Sequence, residues 1–98
     1  MEKMPIHPGE ILADELEEIN VSRTELVRSI DVPANRISQI IAGKRAVSAD
    51  TALRLGQYFG TSADFWMNLQ TMYELDIARQ EVGDRIAHVS QKVSKLKL

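Results

Sequence analysis

A chain of 98 residues with no cysteine and a net charge of −2 has room for one modest core. It excludes a disulfide framework and thiol chemistry, and no apolar run approaches the roughly 20 residues of a membrane span. The opening MEKMPIHPGE lacks the apolar stretch of a signal peptide, so the expected compartment is the cytoplasm. Few aromatics and many Leu, Ile, Ala, Glu and Arg residues favour an all-α domain.

The first predicted helix starts at His7-Pro8-Gly9-Glu10. Proline fits a first helical position, and Glu10 suits the positive end of the helix dipole. Leu12, Leu16 and Ile19, with Ile11 beside them, make one apolar stripe. Asp14, Glu15, Glu17 and Glu18 fall mostly on the opposite face and read as solvated charge. A catalytic carboxylate pair needs an enclosed cleft to separate its pKa values, and a short helix supplies none.

Ser22 to Arg45, SRTELVRSIDVPANRISQIIAGKR, reads as two short helices joined by a tight turn. Leu26, Val27 and Ile30 stripe the first; Ile37, Ile40 and Ile41 stripe the second. Asp31 tolerates a left-handed turn conformation. Val32 precedes proline and is pushed out of the α region, and Pro33 suits the first turn of a new helix. So short a connection is what a helix-turn-helix requires. The outer face of the second helix then carries Asn35, Arg36, Ser38 and Gln39, with Ala34 in close contact. Asn and Gln pair bidentately with adenine, Arg with guanine, and Ser with either. Arg23 and Thr24 at the start of the first helix, Pro33 at the turn, and Lys44 and Arg45 after the second flank that face as candidate DNA contacts.

Gly43 suits a left-handed stop for the second helix. Ser48 caps a fourth helix with Ala52, Leu53, Leu55 and Phe59 as its apolar content, and Gly60 ends it. Ser62 caps a fifth, whose Phe65, Trp66, Leu69, Met72 and Tyr73 recur at helical spacings. Phe65 belongs to the core on this reading, and the last turn is divided between core and a second subunit, since aromatics and Met are enriched at interface cores; a dimer contact is expected around Met72, Tyr73, Ile77 and the tail from Ile86. From Gln80 the pattern weakens and Gly83 interrupts it. Ile86, Val89, Val93 and Leu96 then recur at three, four and three, which fits an amphipathic helix, a strand paired across a dimer, or a tail without fixed structure.

The overall charge disguises its distribution. Residues 1–20 hold one cation against six carboxylates, residues 21–48 five cations against two, and the remainder six against six. The surplus positive charge therefore sits on the helix-turn-helix, as the electrostatic footprint of a nucleic-acid contact should. Other chemistry finds no support. His7 and His88 lack a partner at helical metal-ligand spacing. Gly43-Lys44-Arg45 lacks the glycine spacing of a phosphate loop. Ser22, Ser48 and Ser62 are explained as caps. No enzyme, metal or cofactor is expected.

The helix-turn-helix resembles that of phage repressors and the XRE class. HPGEIL at the start, RISQIIAGKRAVSADTALRL in the middle and FWMNLQTMYEL after it resemble, more narrowly, the HigA-type antitoxins, also known as virulence-associated protein I, over roughly residues 5 to 78. The resemblance implies an all-α, five-helix phage-repressor-like domain over 5–78, with its motif at about 22–42, and a C-terminal extension over 79–98 that offers a dimer or partner contact. Asp31 stands where the turn usually has Gly, and Ala34 where many repressors carry a base-reading polar residue, which shifts readout to Asn35, Arg36 and Gln39. What the resemblance implies about function is a homodimer that binds a double-stranded operator in its own promoter and neutralises a HigB-type ribonuclease toxin. The rival readings are a stand-alone repressor of the same fold and, from another class, a protein-interaction adaptor without DNA binding.

Overall fold

The computed structural model describes residues 4–92, and α-helix is the regular structure within them. The order is α1 (Pro8–Glu18), α2 (Arg23–Ile30), α3 (Ala34–Ile41), α4 (Ala49–Phe59) and α5 (Ala63–Ile86). Side chains supply the starts: Ser22, Ser48 and Ser62 each accept a backbone N–H from the first turn of the helix that follows. The stops are left-handed residues, Asp31 at φ 56° after α2, Gly43 at 76° after α3 and Gly60 at 73° after α4.

One core joins all five helices. Leu12 and Leu16 of α1, Leu26 and Ile30 of α2, Ile37 and Ile40 of α3, Ala52 and Leu55 of α4 and Trp66 of α5 are buried in it, with Val32 and Val47 from the connections. Two glycines permit the close packing. Gly9 sits so near the end of α3 that a Cβ would collide with the Ile40 carbonyl, and a Cβ on Gly56 would lie 2.9 Å from the Ala63 nitrogen. α1 therefore seats its first turn against the end of α3, and α4 folds back on α5.

Several expectations need correction. Ile19 is the exposed C-cap of α1 rather than part of its buried stripe, because the helix ends at Glu18 and Asn20 turns left-handed. Pro33 is the N-cap of α3, one residue before the first helical position. Leu53 is 65% exposed and Phe65 40% exposed, on the sides of α4 and α5 turned away from the core. Gly83 does not interrupt: α5 runs through it, and through Ala78 and Arg79, to Ile86. A single glycine costs a helix about 1 kcal/mol relative to alanine, which a helix already 20 residues long absorbs. Residues 87–92 leave the helix, so the expected repeat loses Val89, while Val93 and Leu96 lie outside the described residues.

Candidate nucleic-acid interface

α3 has a dry side and a wet side. Each residue advances about 100° around the axis. Ile37 and Ile40 point into the core, while Ala34, Asn35 and Ser38 lie exposed on the other side. Arg36 and Gln39 are half-buried at its two margins, each held by another side chain. Arg36 Nη1 lies 3.3 Å from Asp50 Oδ2, at the start of α4. Gln39 Oε1 accepts from Arg45 Nε at 2.6 Å.

The elements around α3 fix its pose. Asp31 donates its N–H to the Val27 carbonyl to close α2, and adopts the left-handed conformation itself. Arg54 of α4 donates from Nη1 to the Ile30 carbonyl at 2.8 Å and the Asp31 carbonyl at 3.1 Å, so α4 ties down the turn. At the far end Gly43 N–H bonds the Ile40 carbonyl and Lys44 N–H the Gln39 carbonyl. That is a Schellman stop, which satisfies two of the last carbonyls and reverses the chain into Lys44 and Arg45, and the Arg45 side chain returns to Gln39.

Two side chains behind α3 complete the support. His7 Nδ1 accepts from Gly9 N–H at 2.9 Å, and Glu10 Oε2 accepts from His7 N–H at 3.0 Å, a reciprocal cap for α1. The His7 ring meets Tyr73 edge-on at 4.8 Å. Burial pushes the imidazole below its ordinary pKa, against the opposing pulls of the Glu10 carboxylate and a hydrogen bond to the Arg45 backbone. From α5, Gln70 accepts from Val47 N–H at 2.8 Å and donates to Glu74 at 2.8 Å, which pins the α3–α4 connection.

Most of the candidate residues therefore gather on α3 and its two ends, while Arg23 and Thr24 lie on α2. Ala34, Asn35, Ser38, Arg36 and Gln39 line α3, Arg23 and Thr24 stand exposed in the first turn of α2, Pro33 precedes α3, and Lys44 and Arg45 follow it. Sequence reasoning missed Asp50 and Arg54. Their i, i+4 spacing on α4, realised as a 3.1 Å contact, was the available signal, but it does not reveal that the pair reaches α3 and the turn.

A helix-turn-helix with an open polar face on its second helix defines the class of the protein. The helix-turn-helix family profile matches residues 12–66. Virulence-associated protein I of Dichelobacter nodosus is 46% identical over 81 residues, covering 81% of this chain and 75% of the relative. An addiction module antidote protein of the HigA family from Coxiella burnetii superimposes with a TM-score of 0.88 at 42% identity, over 94% of this chain and 100% of that one. The Pseudomonas aeruginosa antitoxin HigA, solved with the higBA promoter, gives 0.85 at 47% identity over 93% and 100%. The chain belongs to the HigA family of helix-turn-helix antitoxins.

Proposed function

We propose that this chain is the antitoxin of a type II toxin–antitoxin module. As a dimer it binds an operator in its own promoter and represses its operon, and it neutralises a HigB-type ribonuclease toxin in the cytoplasm. The observation that carries the DNA half is the open face of α3, Ala34, Asn35, Ser38 and the margins Arg36 and Gln39, bordered by Lys44 and Arg45. Such a face is what enters a major groove. Arg23, Thr24, Pro33, Lys44 and Arg45 then serve as backbone contacts and Asn35, Arg36, Ser38 and Gln39 as base contacts.

The outer side of α5 supports the dimer. Met72, Leu75, Arg79, Val82 and Ile86 recur at three, four, three and four, the spacing of a two-helix seam. Leu75, Ala78, Arg79, Val82, Gly83 and Ile86 line one open apolar cleft, and Met72 lines another with Ile6, Ile11 and Leu69. Residues 79–98 accordingly act as an extension for contact with a second copy or partner. Two recognition helices about 34 Å apart then read successive turns of one DNA face.

Titration of the full-length protein with the DNA upstream of its own gene tests the operator half. Preference for that duplex over a shuffled one is expected, with affinity falling steeply as salt rises. No preference would leave the adaptor reading. Co-expression with a HigB-type toxin, taken from the neighbouring gene where that encodes a small basic protein, tests the toxin half: relief of growth arrest and co-purification are expected. Failure of both, with operator binding intact, would leave a stand-alone repressor.

A further inference from the structure

The contact between Arg36 and Asp50 joins the base-reading helix to a carboxylate for which DNA binding has no obvious use. We propose that Asp50 is a specificity-determining residue: its carboxylate holds the Arg36 guanidinium in the orientation that reads a base, and Arg54 holds the carboxylate. The inference rests on α3 being the reading helix.

Arg36 lies at the margin of the exposed face, on the side that approaches α4. Its long stem has many rotamers, and pairing with one base uses a single one. A side chain fixed beforehand loses less freedom on binding. Asp50 Oδ2 lies 3.3 Å from Arg36 Nη1 and 3.1 Å from Arg54 Nε. Arg54 in turn is anchored by Nη1 to the carbonyls of Ile30 and Asp31. A continuous chain of contacts thus runs from the turn, through α4, to a side chain of α3. A guanidinium offers five donors, so a contact through Nη1 leaves others for a base.

Charge and exposure exclude the simpler uses. The Asp50 side chain is 57% exposed, where an ion pair adds little stability. A carboxylate beside a DNA face also repels phosphates and weakens attraction to any duplex. Its place in the first turn of α4 suits the helix dipole, but the dipole does not explain one oxygen shared by guanidiniums of two helices. What Asp50 changes is where the charge of Arg36 points. Removing it therefore lowers affinity for cognate DNA without lowering it for random DNA.

The full-length wild type first selects its preferred duplex from a randomised pool. Affinities are then measured for that duplex and a shuffled one of equal composition. Asp50→Ala, and equally Asp50→Ser, which suits a helix start, should lower the selected-to-shuffled ratio about tenfold. Affinity for the shuffled duplex should be unchanged or raised. In an Arg36→Ala background the same change should lower the ratio no further, and reselection with Asp50→Ala should flatten one position per half-site. Equal weakening on both duplexes overturns the proposal, as does an unchanged ratio where Arg36→Ala lowers it. If Arg36→Ala itself leaves the ratio unchanged, the base-reading role assigned to Arg36 falls first and the role of Asp50 with it.

Discussion

His7 caps α1 only while its ring is neutral, because Nδ1 must be bare to accept the Gly9 N–H. Its surroundings pull both ways: burial favours the neutral ring, and Glu10 and the hydrogen bond to the Arg45 backbone favour the cation, but the net direction is downward. The unfolded chain therefore binds the proton more readily than the folded one. The contribution to stability is fully present above the unfolded value of 6.5, and it is lost as pH falls from there through the folded pKa. Thermal unfolding above and below pH 6.5 should show a larger acid loss for the wild type than for His7→Asn, which can still cap but does not titrate. Equal losses would place the acid sensitivity elsewhere. The neighbouring glycine makes a sharper case. Alanine normally improves a helix over glycine by about 1 kcal/mol, and that is the gain expected at Gly83, where an added Cβ meets nothing within its own chain. At Gly9 the Cβ meets the Ile40 backbone, so Gly9→Ala should destabilise by about 1–3 kcal/mol. A denaturant titration that moved both midpoints in the same direction would refute the packing account. The HPGE motif is thus explained letter by letter as N-cap, first-turn proline, close approach and reciprocal cap.

Among the elements, α3 divides its work in a way that mutation can separate. Gln39→Ala should cost about 1–3 kcal/mol on the operator and relax one base pair per half-site. Lys44→Ala should weaken all DNA alike and lower the log–log salt slope by roughly one. Arg45 was read from the sequence as a backbone contact alone, yet it also holds Gln39 at 2.6 Å, so Arg45→Ala should show both effects together. A change in slope with specificity intact would deny it that second role. The difference shows where the sequence stops being readable. Helix starts and stops depend on near neighbours, so Ser22, Ser48 and Ser62 announced the starts of α2, α4 and α5, and Asp31, Gly43 and Gly60 the stops of α2, α3 and α4. Contacts between helices carry no such local signature. The Arg36–Asp50–Arg54 chain, the Gln70 bond to Val47 and the burial of His7 appear only when α3, α4 and α5 are assembled. Gly83 misled for the opposite reason, since a weak local signal was overruled by the length of α5 around it. On that helix, Tyr73 is a poor probe of the dimer because it meets the His7 ring edge-on and its loss would disturb the cap of α1. Leu75→Asp with Val82→Asp puts two carboxylates into the proposed seam instead. Sedimentation should then shift from dimer to monomer at micromolar concentration, with operator affinity reduced and helicity retained; a dimer that persists would remove the seam from α5.

At the scale of the whole molecule, two opposite charges are kept on separate parts of one core. The cations cluster around α2, α3 and the segment after it, whereas α1 carries Asp14, Glu17 and Glu18 together around a shallow surface depression. An acidic cluster does not by itself make a binding site. The reason to test this one is the proposed partner, a ribonuclease that must present positive charge to hold RNA. α1 packs on α3 through its buried side, so its acidic side and the DNA face are different surfaces of the same small domain, and toxin and operator need not compete for space. Complementary charge at such a contact acts mainly on the rate of association and its dependence on salt. Glu15 is half-buried, so the exposed Asp14, Glu17 and Glu18 are the residues to reverse. Replacing all three with Lys should slow capture of the toxin and flatten its salt dependence, while the operator titration of the same variant is retained or strengthened by the added positive charge. Stopped-flow association measured beside that titration separates the two. Unchanged capture would make the acidic face a solvated surface only, and the toxin contact would then be sought on the C-terminal extension.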